Sequence, residues 1–533
     1  GKPLTLSRIP DSLLDEWKSL GFDAVWLMGV WTTGNLSREI ARTHEGLREE
    51  YRRALPDFTD GDIAGSPYAV RSYTVSPTLG GTRALAALRK KLAERGMALI
   101  LDFVSNHTER DHPWVSTHPE YYVHGREGEE HTKPDMFFSV RTRRGQRTLA
   151  FGRDPHFPGW TDTAQLNPYY PAARKAMIDT LLKVAALSDG VRCDMAMLLL
   201  RDVFMKTWAD QAQLPNGETV QSEFWQEAIE TVHQSYPDFL FIAEAYWNLE
   251  WQLQQLGFRY TYDKTLYDRL LREGAGAVYD HLKAEMAYQE RCVRFIENHD
   301  EQRVAHALPN EWWHYAAATI AATVPGMFLV HEGQMEGRKV KLPVQLIRRP
   351  AEELSVPTKA FYTKLLSSLQ ADVLRNGRWQ LLSSRSAWYG NHSYQNIIPY
   401  LWRKESACRL IVVNYAPYNS QCYVDVQLEG LEGRMFEFRD LMSPAVYVRD
   451  REGLVQAVFR PEEDAQSFSE IVGGLNKMTL ARFRRIMRGS GLECVYWRVN
   501  ATEKKGAALA RVLSRLPGVG ELFAFNVYSV WRG

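Results

Sequence analysis

Over the first 370 positions, helix-like runs with apolar residues every three to four positions alternate with short, nearly continuous apolar runs. PDSLLDEWKSLG (10–21) predicts a helix stopped by Gly21, and FDAVWLMG (22–29) predicts the strand that follows. The pair recurs as TRALAALRKKLAERG (82–96) with MALILDFVSNH (97–107), and as PAARKAMIDTLLKVAALS (171–188) with DGVRCDMAM (189–197). SEFWQEAIETVHQSYP (222–237) leads into DFLFIAEAYW (238–247). A helix-rich stretch then runs to about residue 290 and is followed by CVRFIENHD (292–300). EWWHYAAATIAATV (311–324) precedes PGMFLVHEG (325–333). This rhythm predicts parallel strands with covering helices.

The number of units favours an α/β fold of the (β/α)8 TIM-type barrel over an open doubly wound sheet. No phosphate-cradling glycine fingerprint follows any of the strands, which disfavours a nucleotide fold as well. The chain opens on a helix where a barrel places its first strand. The expectation is a barrel lacking that strand, or a longer protein upstream. The barrel is assigned to residues 1–107 and 171–370. Residues 108–170, rich in His, Pro, Arg, Gly and aromatics, read as an inserted loop subdomain. Short alternating runs over 371–460 predict a small antiparallel β domain, and 461–533 a short α/β tail.

Composition narrows the function classes. A net charge of +1 over 533 residues gives no polyelectrolyte signal, so neither nucleic acid nor an anionic membrane is an expected partner. Aromatics at 12%, with 16 Trp and 25 Tyr, suit stacking on sugars, although a rich core would look the same. Cys193, Cys292, Cys408, Cys422 and Cys494 are scattered and without CxxC spacing. They argue against a disulfide framework or a zinc site and for a reducing, cytoplasmic compartment. No apolar run of about 18 residues and no basic-then-apolar leader occur.

The candidate chemistry lies at the strand ends. Asp102, Asn106 and His107 end one strand; Arg192 and Asp194 the next; Glu244 another; Asn298, His299 and Asp300 a fourth. The pleat puts Arg192 and Asp194 on one face. Alone, such a pair reads as a structural ion pair. Gathered at the C-terminal mouth of a barrel, the carboxylates are hard to explain as helix caps. Three carboxylates and an arginine fit retaining glycoside hydrolysis: one carboxylate stays ionised beside the arginine to attack. Glu244, flanked by Ile242, Ala243, Ala245 and Tyr246, has the apolar setting that keeps an acid protonated.

These stretches resemble the α-amylase family of glycoside hydrolases, family 13, in the right order over roughly residues 5–450. DFVSNH (102–107), GVRCD (190–194), FIAEAYW (241–247) and FIENHD (295–300) are similar to its four motifs. The resemblance implies Asp194 as nucleophile, Glu244 as general acid/base and Asp300 as transition-state stabiliser. It implies Tyr68, Asp102, His107, Arg192, Asn298 and His299 around the substrate, an α-glucan or oligosaccharide. SPYAVRSYTVSPTLGGT (66–82) resembles the segment that supplies a stacking tyrosine, AQLN (164–167) a motif near the end of the inserted domain, and PGMFLVHEGQ (325–334) the eighth strand. No cofactor is required by this chemistry; Asn106 is the candidate ligand for calcium. Many amylases continue the second motif with Lys-His, whereas Met197 and Leu198 stand here. Neither can hydrogen-bond a sugar, so leaving-side recognition is expected to differ, and the substrate and the choice between hydrolysis and transfer stay open.

Other residues read as structural: Trp312–Trp313 as helix packing, the basic run RFRRIMR (482–488) as a solvated face. His331 and Glu332 stand evenly between lining the site and a structural role. GGLNKMTLARFRRIMRGSGLECVYWRVN (473–500) and ELFAFNVYSVWRG (521–533) resemble the closing elements of a Rossmann-type methyltransferase, without its glycine-rich loop. No methyl transfer is expected. Three readings follow: an active retaining α-glycosidase or transglycosidase; a catalytically impaired carbohydrate-binding relative; and a methyltransferase-related protein carrying a barrel. The first leads.

Overall fold

Seven parallel strands form one sheet whose spatial order is the chain order. In the computed structural model they are β1 (Ala24–Leu27), β2 (Ala98–Val104), β3 (Gly190–Asp194), β4 (Leu240–Ala243), β5 (Tyr260–Tyr262), β6 (Cys292–Arg294) and β7 (Met327–Phe328). The structure describes residues 5–143, 145–208, 211, 222–426, 436–444, 446–449, 493–500 and 526–532. Helices α1 (Asp11–Ser19), α2 (Gly81–Ala93), α3 (Pro171–Ala185), α4 (Phe224–Ser235) and α5 (Glu311–Thr323) precede β1, β2, β3, β4 and β7. Consecutive parallel strands joined through helices give the barrel-type winding predicted from the alternation.

The local reasons are legible. Pro171 starts α3, where its missing N–H has no partner to lose. Met177, Leu181 and Val184 then fall on one face at helical spacing and are fully buried against the sheet. Burial of each such side chain contributes about 1.5–3 kcal/mol. The strands are too apolar to face water on either side: Leu99, Leu101, Val191 and Phe241 belong to one core with Leu85, Leu92 and Leu181. Gly190 opens β3 because β4 passes too close for a side chain. A Cβ there would stand 2.6 Å from the Leu240 carbonyl oxygen.

The sheet does not close. β1 and β7 are its two edges and do not pair with each other. A cavity of about 1510 Å³ opens beside them, lined by Trp17, Leu20, Phe22, Val25, Leu27 and Phe328 among others. The edge strands are accordingly only half-buried, whereas β3 is buried throughout. Among the described residues the sheet is thus a seven-stranded, open barrel-type winding.

Between β2 and α3 the chain forms a hairpin (Phe137–Thr142 with Gly145–Ala150) and a short pair (His107–Glu109 with Thr163–Gln165). Beyond the barrel, Arg378–Leu381, Ile397–Lys404 and Ala407–Asn414 make a three-stranded antiparallel sheet. Trp402 Nε1 donates to the Thr323 carbonyl at 2.7 Å and Tyr400 bonds the Thr323 hydroxyl at 2.6 Å, fastening that sheet to α5. Of the tail, Glu493–Asn500 pairs antiparallel with Asn526–Arg532. The helices predicted there lie outside the described residues, as does most of the methyltransferase-like segment.

One strand was not read from the sequence, and another is shorter than the sequence implies. β5 sits inside the stretch read as helix-rich, and its three residues are too few to show a period. The run 325–333 gives only a two-residue strand, because its outer edge has no partner. Among the described residues no helix is long and apolar enough to cross a membrane.

Candidate active site

Register assembles the site. β2 and β3 align Asp102 with Arg192 and Val104 with Asp194, and β4 aligns Ile242 with Arg192. Glu244, the residue after β4, therefore emerges beside Asp194. The Arg192 guanidinium meets all three carboxylates: Nη1 lies 2.7 Å from Asp194 Oδ1 and 3.7 Å from Asp102 Oδ1, and Nη2 lies 2.8 Å from Glu244 Oε2. It is also 5.3 Å from the ring centres of Trp26 and Tyr68 and 5.7 Å from that of Tyr262. These aromatics, Tyr262 buried and Trp26 and Tyr68 half-buried, attract the cation, which is itself buried.

One buried cation does not neutralise three buried carboxylates. Burial pushes Asp194 and Glu244 above the ordinary carboxylate range, with Arg192 opposing. Asp102 is raised for the same reason, against Arg192 and the Gly29 N–H, which donates to its Oδ2 at 3.1 Å. Trp26 Nε1 donates to Asp102 Oδ1 at 3.2 Å. Glu244 Oε1 accepts from the Tyr246 hydroxyl at 2.7 Å, and its Oε2 accepts from the Met195 N–H at 2.7 Å.

Asp300 has a different setting. Its side chain is 45% exposed and lies 3.0 Å from His299 Nε2, which also bonds the Tyr68 hydroxyl at 2.6 Å. Burial works to raise it, but His299 and Arg192 outweigh burial and hold Asp300 below the usual range. Asn298 turns inward: its Oδ1 accepts from the Asp300 and Glu301 N–H groups, both at 2.9 Å, and so shapes the loop. Glu297, which the sequence reading passed over, is fully buried and accepts from Arg303 Nη1 at 2.7 Å and the Val304 N–H at 2.8 Å. His331 joins that pair at 3.2 Å from Glu297, and Glu332 pairs with Arg349. Both therefore make contacts that hold the loops.

Of the predicted residues, Tyr68, Asp102, Arg192, Asp194, Glu244, His299 and Asp300 form one connected cluster. His107 sits at its margin, packed 5.1 Å from Trp160 and with its Nδ1 3.4 Å from Asn106 Nδ2. Burial pushes its pKa down to about 4, so the ring is neutral. Asn106 lies away from the cluster. Gln165 Nε2 donates to Asn106 Oδ1 at 2.9 Å, and among the described residues no group of three or more His, Cys, Asp or Glu side chains could hold a metal ion. The Asn106 side-chain oxygen is thus engaged by Gln165 in this structure.

Trp26, Tyr246 and Tyr262 were missed. In the sequence they are unremarkable aromatics; a tyrosine two residues beyond a strand-end glutamate was the only available signal. Two backbone features also stand out. Met195, directly after Asp194, has a left-handed φ of 44°, and Trp247 and Asn248 have φ of 64° and 61°. For non-glycine residues this conformation costs roughly 1–2 kcal/mol each. At Met195 it turns the N–H onto Glu244. Met197 and Leu198 are buried in the core.

Residues 11–380 match the family model described as alpha amylase, catalytic domain. Over 338 residues the chain is 25% identical to the alpha-amylase MalA of Haloarcula japonica, covering 61% of this chain and 40% of that protein. Over 267 residues it is 26% identical to the alpha-1,4-glucan:maltose-1-phosphate maltosyltransferase of Rhodospirillum rubrum, covering 48% and 30%. The chain thus spans less than half the length of these relatives. The crystal structure of an alpha-amylase from Lactobacillus plantarum superposes with a TM-score of 0.59 at 20% identity, over 84% of this chain and 93% of that one, a likeness of fold. The match over most of the barrel, together with the strand-end cluster, means that this chain belongs to the α-amylase family.

Proposed function

We propose that the protein is a retaining α-glycosidase acting on α-glucosidic oligo- or polysaccharides. The observation that carries this reading is Arg192 bridging Asp194 and Glu244, with the Asp300–His299–Tyr68 chain alongside. Asp194 attacks the anomeric carbon as a carboxylate while the bond to the leaving oxygen breaks. Glu244 donates its proton to that oxygen, and a glycosyl ester forms on Asp194. Glu244, now ionised, takes a proton from water, whose oxygen displaces Asp194. Two inversions give net retention. Arg192 favours the ionised form of the nucleophile; burial and the neighbouring carboxylates keep Glu244 protonated. Asp300, ionised and half-exposed, faces the positive charge that develops on the sugar.

A second reading, transfer to a sugar acceptor through the same intermediate, is supported by the match to a protein named as a maltosyltransferase. One experiment separates them. Maltoheptaose is incubated with and without added glucose, with Asp194→Asn as control, and products are resolved by chromatography and NMR. Hydrolysis gives α-configured reducing sugars whether or not acceptor is present; transfer gives acceptor-dependent products. Equal release by wild type and Asp194→Asn would remove both readings.

A further inference from the structure

The two oxygens of Glu244 have partners of different kinds. Oε2 accepts from the Met195 N–H at 2.7 Å and lies 2.8 Å from Arg192 Nη2. A main-chain N–H and a guanidinium can only donate, so neither can face a proton placed on Oε2. The chain turns into a left-handed φ of 44° at Met195, strained for a residue with a side chain, and so aims that N–H at Oε2. Oε1 lies 2.7 Å from the Tyr246 hydroxyl oxygen. A hydroxyl donates or accepts by turning about its C–O bond. Of these three partners Tyr246 alone can reverse its role.

Glu244 needs such a partner because it must exist in two states. Burial, Asp194 and Asp300 favour its acid form; Arg192 and the Met195 N–H favour its carboxylate. With fixed donors on both oxygens, the acid form would set its own O–H against another donor and leave that donor unpaired. The Tyr246 ring packs against the barrel core, so the reversal needs only its hydroxyl hydrogen to move.

We propose that Glu244 holds and delivers its proton on Oε1, and that Tyr246 is the positioning residue that allows this by exchanging acceptor and donor roles with it. In the resting acid, Oε1–H donates to the Tyr246 oxygen. A glycosidic oxygen then takes that proton as its bond to the anomeric carbon breaks and Asp194 bonds to the same carbon. The Tyr246 hydroxyl turns to donate to the Glu244 carboxylate. In the second step Oε1 takes a proton from water, the water oxygen bonds to the anomeric carbon, and the Asp194 ester breaks. Tyr246 turns back. These steps rest on the glycosidase reading, whereas the hydrogen positions do not.

Neutron diffraction from deuterium-exchanged crystals, on either side of the pH at which Glu244 ionises, tests those positions. The expected result is a deuteron on Glu244 Oε1 directed at Tyr246 on the acid side, and the Tyr246 deuteron directed at Oε1 on the alkaline side. A deuteron on Oε2, or a Tyr246 hydroxyl pointing the same way in both crystals, would overturn the proposal. In turnover, Tyr246→Phe should lose kcat/KM on maltohexaose by about tenfold more than on α-glucosyl fluoride, whose leaving group needs little protonation. Equal losses on both substrates, or none on either, would also overturn it. A wild type inert on both would remove the glycosidase reading and leave the diffraction result to decide the exchange.

Discussion

At the residue scale the site is a contest over two protons. In the proposed reaction Asp194 must be ionised for attack, so activity should fall as pH drops through its pKa, which burial raises. Glu244 must carry a proton, so activity falls as pH rises through its pKa, which burial also raises. Tyr246 donates to the ionised Glu244 and favours it. Tyr246→Phe is therefore expected to move the alkaline limb of kcat/KM to higher pH and leave the acid limb in place. A downward move of that limb would show that the hydroxyl favours the neutral acid. Glu244→Gln should lower kcat about 10²–10⁴-fold on maltooligosaccharides, with a smaller loss on α-glucosyl fluoride, whose leaving group needs little protonation. The charged members of this set were legible because they end strands. Of the aromatic members Tyr68 was, through the family resemblance, whereas Trp26 and Tyr262 carry no local mark distinguishing a site ring from a core ring.

At the element scale, the loop after β6 is held by a buried ion pair. Glu297→Ala would leave Arg303 uncompensated, at an expected cost of about 3–5 kcal/mol. A fall in thermal unfolding temperature and a loss of activity through displacement of Asn298–Asp300 should appear together. Loss of stability alone would show that the loop keeps its shape without the pair. Helices and long strands were readable because period and caps agreed, as in α3 with Pro171 and the apolar run of β2. β5 and β7 were not readable as strands of that length. Three or two residues carry no period, and β7 is cut short by an edge that nothing pairs, a tertiary circumstance invisible in local sequence.

At the scale of the whole molecule, the barrel is open between β1 and β7. Unpaired edges and half-buried side chains leave these strands the least supported of the sheet. Hydrogen exchange should show the amides of Val25 and Leu27 exchanging faster than those of Leu99–Phe103 in β2 or Val191–Cys193 in β3. Uniform protection across the sheet would mean that the opening does not weaken it. The winding was legible from the alternation of helices and apolar runs along the chain. The substrate was not, because Met197 and Leu198, buried just beyond β3, carry no mark of a sugar partner.

The central claim is a covalent glycosyl ester on Asp194. It is tested by reacting the protein with 5-fluoro-α-D-glucosyl fluoride, whose intermediate turns over slowly, and mapping the label by peptide mass spectrometry. A single hexosyl adduct on the peptide carrying Asp194, absent in Asp194→Asn, is predicted. A label on Glu244 or Asp300, or active turnover of α-glucosyl fluoride with no adduct and inverted product, would contradict the account.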